Sequence, residues 1–140
     1  KVEIVQITSQ EKSYDTLNEM KDHIEGLIRK LGLPFRILKL CGGDLGFTSA
    51  LTYDFEVYSV GQKKWLEVSS VSNFETFQAN RLKLRYRSQD DNKPKLAHTL
   101  NGSALALPRI LASLLEFYQS SEGVKIPDVL VPYTGFEWIN

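Results

Sequence analysis

The stretch from His98 to Gln119, HTLNGSALALPRILASLLEFYQ, constrains the fold most, because it joins a small polar run to an apolar helix through a single cation. Leu107, Ile110, Leu111, Leu114 and Leu115 recur at helical spacing, and Phe117 and Tyr118 extend the apolar surface. Pro108 lacks an N–H and suits the first turn of a helix better than its interior. Arg109, Ser113 and Glu116 follow at i, i+4 and i+7 and share a face. The spacing therefore predicts Arg109 at the start of a largely buried helix, where a guanidinium is costly unless paired. Two outcomes are open. One is a structural ion pair with Glu116 or a more distant carboxylate; the other is an anion site in which Arg109 meets a phosphate.

The preceding chain reads as strands around one long helix. Val2, Ile4 and Val5 with Ile7 mark a short strand that carries Glu3. Ser9 to Gly32 is the clearest helix, with Tyr14, Leu17, Met20, Ile24, Leu27, Ile28 and Leu31 forming its apolar stripe. Ser13 reads as its N-cap, Gly32 as its stop, and Pro34 bars resumption. His23 lies on the polar side, a solvated residue rather than a ligand, since no Cys or second His is near. Phe35 to Cys41 reads as a strand ended by the turn Cys41-Gly42-Gly43-Asp44, without the Gly-Lys-Ser/Thr ending of a phosphate loop. Cys41 reads as a buried strand-end thiol.

Thr52 to Val60 alternates Tyr53, Phe55 and Val57 against Asp54, Glu56 and Tyr58, and joins Lys64 to Ser70 as a hairpin. Glu67, with Ser69 and Ser70 close behind, offers oxygen ligands of the kind Mg²⁺ takes. Phe74 to Asn80 reads as a short helix. Arg81 to Arg87 reads as a strand with one cationic face, either a solvated edge or a wall for polyphosphate. Gln89 to Lys95 is a polar turn, Leu96 to Leu100 a last strand, and Ile126 to Asn140 an ordered tail. These elements predict an α+β fold, an antiparallel β-sheet with flanking helices, and residues 1–140 form a single domain.

At 42% hydrophobic and 24% charged residues, the chain can bury one real core. Lys plus Arg and Asp plus Glu both number 17, so no global basic field draws in nucleic acid. Cys41 is the sole cysteine, which excludes an internal disulfide and fits a reducing cytoplasm. Neither a signal peptide nor an apolar run of about 18 residues is present, so export and membrane spanning are not expected. The sequence opens on Lys1-Val2-Glu3-Ile4-Val5 without an initiator methionine, as a piece of a larger protein would.

Several blocks together carry a resemblance. They are Lys1-Val2-Glu3, Leu40 to Phe47 (LCGGDLGF), Thr52 to Val57 (TYDFEV), Glu67 to Phe74 (EVSSVSNF) with Phe77-Gln78-Ala79 and Arg81, and His98 to Ser103 (HTLNGS) with Arg109. In this order, and continuing through Ile126-Pro127 and Val131-Pro132-Tyr133, the chain resembles bacterial-type seryl-tRNA synthetases, in the C-terminal part of their class II catalytic domain. The resemblance implies a cytoplasmic ligase that activates L-serine with ATP and Mg²⁺ and passes it to tRNA(Ser), as a homodimer.

It assigns roles residue by residue. Glu3, Asn101 and Ser103 match the family's serine pocket. Glu67, Val68, Ser69 and Ser70 match its ATP segment, with Glu67 and Ser70 as Mg²⁺ ligands. Arg109 matches the motif 3 arginine on the terminal phosphate and, with Glu67, forms the catalytic pair. Pro108 stands where relatives commonly have glycine. Zinc-dependent relatives use Cys and His ligands, and with only Cys41, His23 and His98 available no zinc is expected. The family's N-terminal arm, motif 1 and motif 2 loop would lie before Lys1, so the chain alone is expected to be inactive. A paralogue loading a small amino acid onto a carrier protein, or a non-catalytic ATP- and serine-binding module, are the alternatives.

Overall fold

The computed structural model describes residues 1–88 and 92–140, so part of the expected polar turn at Gln89–Lys95 lies outside the described residues. In chain order the elements are β1 (Glu3–Thr8), α1 (Ser13–Lys30), β2 (Phe35–Lys39), β3 (Leu51–Ser59), β4 (Lys64–Asn73), α2 (Thr76–Leu82), β5 (Arg85–Arg87) and β6 (Pro94–Leu96). There follow β7 (His98–Ser103), α3 (Leu107–Tyr118), β8 (Gln119–Ser120), β9 (Gly123–Lys125), α4 (Val131–Thr134) and β10 (Trp138–Ile139). Five strands make the main antiparallel sheet in the order β1-β7-β4-β3-β2. The C-terminal tail is ordered, as its aromatic residues suggest, and β10 pairs with β9 in a separate three-stranded sheet.

α1 lays its stripe on one face of the sheet. Leu17, Met20, Ile24 and Ile28 pack with Phe55, Val57, Val68, Val71 and Leu100, and α3 adds Ile110 to the same layer. The helix is shorter than Ser9–Gly32, because Gln10–Lys12 form a 3₁₀ turn ahead of it. Ser13 does not cap it. That hydroxyl is fully buried, donates to the Gln10 carbonyl at 3.2 Å, and meets Asn73 Nδ2 at 3.1 Å and His98 Nδ1 at 2.7 Å. Buried polar groups on two strands claim it first. His23 is exposed, as its place on the helix requires.

Three other expectations change. The strand at Arg81–Arg87 shrinks to Arg85–Arg87, because Arg81 closes α2, where its guanidinium lies 3.6 Å over the Phe77 ring one turn back. Leu96–Leu100 divides at Ala97, whose N–H bonds to Leu84 O rather than into the main sheet. Cys41 is exposed, not buried: β2 ends at Lys39, and the thiol sits in the turn closed by Asp44 N–H on the Cys41 carbonyl at 3.1 Å.

α3 is also less buried than its apolar spacing implies. Ile110 and Ser113 are buried, but Leu107, Leu111, Leu115 and Phe117 are exposed. One side of the helix lies on β3 and β4; the other lines a groove of about 770 Å³ with Leu27, Leu31, Leu130 and Tyr133. No helix among the described residues is long and apolar enough to cross a membrane.

Candidate active site

Pleating sorts each strand onto two faces, and the face opposite α1 collects the polar residues. β7 sends Thr99, Asn101 and Ser103 there, facing Ile7, Val5 and Glu3 of β1. Ser72 lies beside Asn101, and Thr52 and Asp54 extend the face opposite Ser72 and Ser70. Glu3 and Ser103 are direct partners. The Ser103 hydroxyl donates to Glu3 Oε2 at 3.4 Å, and Lys1 Nζ lies 3.1 Å from both.

Glu67 and Ser70 are three residues apart, a spacing that puts side chains on opposite faces of a regular strand. β4 is not regular. Phe55 pairs with Ser69 but Glu56 pairs with Glu67, so Val68 is an extra residue in a β-bulge. The bulge brings Glu67 out beside Ser70, Asp54 and Glu56. Val68 itself is fully buried, and Ser69 turns its hydroxyl to the Ser103 carbonyl at 2.5 Å. Both therefore contribute backbone rather than side chain to this face.

Arg109 arrives from the first turn of α3. Its Nη1 donates to the Glu67 carbonyl at 2.6 Å and lies 3.9 Å from Glu67 Oε1. Its side chain is 54% exposed, so it is not a guanidinium locked in the core. Nor does it pair with Glu116. That carboxylate instead accepts from the Ser59 hydroxyl at 2.6 Å and the Gly61 N–H at 3.2 Å, tying the β3–β4 hairpin to α3. Along a helix, i and i+7 lie two turns apart, and Glu116 finds its donors at the far end of the strand pair.

The carboxylates on this face are held uncomfortably. Burial pushes the Asp54 carboxyl up from the ordinary range and Glu56 adds to the rise, while the Ser70 hydroxyl opposes it. Burial also raises Glu67, Asp54 reinforces that, and Arg109 works against it. Asp54 Oδ1 is buried with no hydrogen-bond partner among the described residues. An electron-rich face of this kind, with one unpartnered oxygen, suits a cation or a donor-rich ligand.

Sequence reasoning overlooked three contributors. Asp54 shows itself by alternating with Glu56 toward Ser70, and Thr99 by sharing parity with Asn101 and Ser103. Gln78, present in the quoted blocks without a role, accepts from the Thr99 hydroxyl at 2.7 Å and from Asn101 Nδ2 at 3.5 Å.

Comparison with known proteins bears on the family and the fold. The tRNA synthetase class II core domain model (G, H, P, S and T) matches residues 1–118. The chain is 53% identical over 137 residues to a serine–tRNA ligase of Salinibacter ruber, covering 97% of this chain and 32% of that protein. It is 51% identical over 140 residues to that of Thermotoga maritima, covering 99% and 33% respectively. It therefore spans about a third of the length of these relatives. The seryl-tRNA synthetase of Pyrococcus horikoshii, solved with ATP, superposes at TM-score 0.93 with 39% identity over 100% of this chain and 32% of that one. A prolyl-tRNA synthetase of Giardia lamblia shares the fold at TM-score 0.79 and 15% identity, covering 93% of this chain and 26% of that one. With its sheet, its site face and the match over residues 1–118 taken together, the chain belongs to the class II tRNA synthetase core-domain family, and along its length it is similar to the serine ligases.

Proposed function

We propose that the full-length protein carrying this chain is a serine–tRNA ligase, which activates L-serine with ATP as seryl-adenylate and transfers the seryl group to the 3′ end of tRNA(Ser). One observation carries the reading: the β4 bulge puts Glu67 and Ser70 on the same face as Glu3, Asn101 and Ser103, with Arg109 at its border. In the first step a serine carboxylate oxygen bonds to the α-phosphorus, the bond to the bridging oxygen breaks, and pyrophosphate leaves. Arg109 offers a planar fork to the phosphates. Glu3 and Asn101 accept from the serine ammonium and hydroxyl. A pocket that bonds the hydroxyl can reject alanine by roughly 10⁴–10⁵. Val68 and Ser69 shape the nucleotide segment through their backbone.

The residues present fit Mg²⁺. Asp54 Oδ1 is orphaned beside Ser70, and Glu67 lies on the same face. Mg²⁺ commonly takes one or two protein ligands and completes its shell with phosphates and water. Glu67 and Ser70 would hold it, and when bound it neutralises phosphate charge. The family resemblance supports a cytoplasmic homodimer.

The test is serine-dependent ATP–pyrophosphate exchange by the full-length protein, expected with L-serine and absent with L-alanine. Glu67→Gln should slow exchange by about tenfold or more and raise the Mg²⁺ needed, since an amide keeps the shape but not the charge a hard cation prefers. An unchanged Mg²⁺ dependence overturns the ligand assignment.

A further inference from the structure

Asn101 is a carboxamide with two chemically opposite ends, and which end faces a ligand decides what the pocket can bind. Two neighbours orient it. Thr99, buried and two residues before Asn101 on β7, donates its hydroxyl to Gln78 Oε1 at 2.7 Å, and Asn101 Nδ2 donates to the same oxygen at 3.5 Å. A side-chain carbonyl oxygen has two lone pairs, and here both are used. The backbone beneath is fixed as well, with Thr99 N–H on the Glu75 carbonyl at 3.2 Å and Phe74 N–H on the Thr99 carbonyl at 2.9 Å. With its nitrogen turned to α2, Asn101 has its oxygen left for the face that carries Glu3 and Ser103.

We propose that Gln78 is a positioning residue for amino-acid selection: by accepting from Thr99 and Asn101 together, it holds the Asn101 carboxamide with its oxygen presented to the substrate. The pocket then offers acceptors, the Glu3 carboxylate and Asn101 Oδ1, to a substrate whose ammonium and hydroxyl are donors. Gln78 does not touch the substrate; it acts through Asn101. The proposal rests on the serine-ligase reading given above.

The experiment measures KM for L-serine and for ATP separately in exchange assays on full-length protein. The variants are Gln78→Met, Gln78→Glu, Thr99→Val and Asn101→Ala, with melting temperatures recorded for each. Gln78→Met keeps the length and removes the acceptor. It should raise the serine KM about tenfold and leave the ATP KM within about twofold, as expected for an effect confined to one substrate's binding. Gln78→Glu, which can only accept, should stay near wild type. Thr99→Val leaves Gln78 in place without its stronger donor and should give a smaller rise in the same direction.

The proposal is overturned if Gln78→Met leaves the serine KM unchanged while Asn101→Ala raises it, or if Thr99→Val causes no rise. A parallel rise in both KM values would mark Gln78 as scaffold for α2. A Gln78→Glu variant as impaired as Gln78→Met would show that Gln78 donates rather than accepts. Failure of the underlying reading looks different: wild type shows no serine-dependent exchange, or Asn101→Ala leaves the serine KM unchanged, and the proposal falls with it.

Discussion

Arg109 holds the backbone of Glu67 from a half-exposed position, and this settles what its removal does to an unliganded molecule. A buried ion pair broken on one side costs roughly 3–5 kcal/mol. An exposed guanidinium on a carbonyl is worth far less, so Arg109→Ala should shift the ligand-free melting temperature by no more than about 2 °C. The same variant should lose most of its stabilisation by Mg·ATP, and Arg109→Lys should recover only part, since an ammonium restores charge without the fork. Melts of the full-length protein with and without Mg·ATP check this; a large ligand-free drop with the ATP shift intact would count against it.

Asp54 sets a pH dependence of definite sign. Its folded-state pKa is raised, chiefly by burial, so the folded chain prefers the protonated form. The strain of holding the charge is present above the folded pKa and disappears below the unfolded one, near about 4. Asp54→Asn should therefore raise the melting temperature at neutral pH, with the gain vanishing as the pH falls below about 4. Mg²⁺ should stabilise wild type more than this variant. Thermal melts across pH, with and without Mg²⁺, test both statements.

At the scale of elements, Gly32 couples the end of α1 to the end of α3. It has φ +69°, and a Cβ there would press on the Tyr118 hydroxyl, which donates to the Leu31 carbonyl at 2.8 Å. Gly32→Ala combines left-handed strain with a displaced hydrogen bond, each about 1 kcal/mol, for a total near 2 kcal/mol. Tyr118→Phe alone should cost about 1 kcal/mol, and the double variant less than the sum, because removing the hydroxyl makes room for the methyl. Urea unfolding of the four proteins gives the coupling.

The elements were legible where local chemistry suffices. The stripe from Leu17 to Ile28, the stop at Gly32 and Pro34, and the alternation from Tyr53 to Tyr58 all appear as read. What was not legible depends on partners distant in sequence. Ser13 is claimed by Asn73 and His98, Glu116 by Ser59, and α3 has only one side against a sheet. Arg109 as a candidate anion site and Glu67 with its neighbouring hydroxyls as candidate oxygen ligands were read from the residues, whereas the roles of Glu3, Asn101 and Ser103 came only from resemblance, and the spacing of Glu67 and Ser70 taken alone argues that they face apart.

The main sheet has an apolar layer on one side and a polar face on the other. Stability should therefore concentrate in the α1 layer. Ile24, fully buried, should cost roughly 2–5 kcal/mol when cut to Ala, while Leu111→Ala, 58% exposed at the groove, should cost under about 1 kcal/mol. Chemical unfolding of this chain compares the two; similar costs would mean that the groove side of α3 is as much core as the α1 layer.

The bulge has a consequence for chain length rather than composition. Removing Val68 would leave Glu67 opposite Glu56, Ser69 opposite Phe55 and Ser70 opposite Asp54, an unbroken ladder with the same side chains on the same face. What would go, besides a fully buried valine side chain, is the surplus peptide whose carbonyl takes the Ala106 N–H at 2.8 Å, next to the Glu67 carbonyl that takes Arg109. The extra residue is a mooring. It turns two consecutive carbonyls toward the chain that leads into α3, so a one-residue deletion would keep the carboxylate and the serine but set the arginine adrift from them.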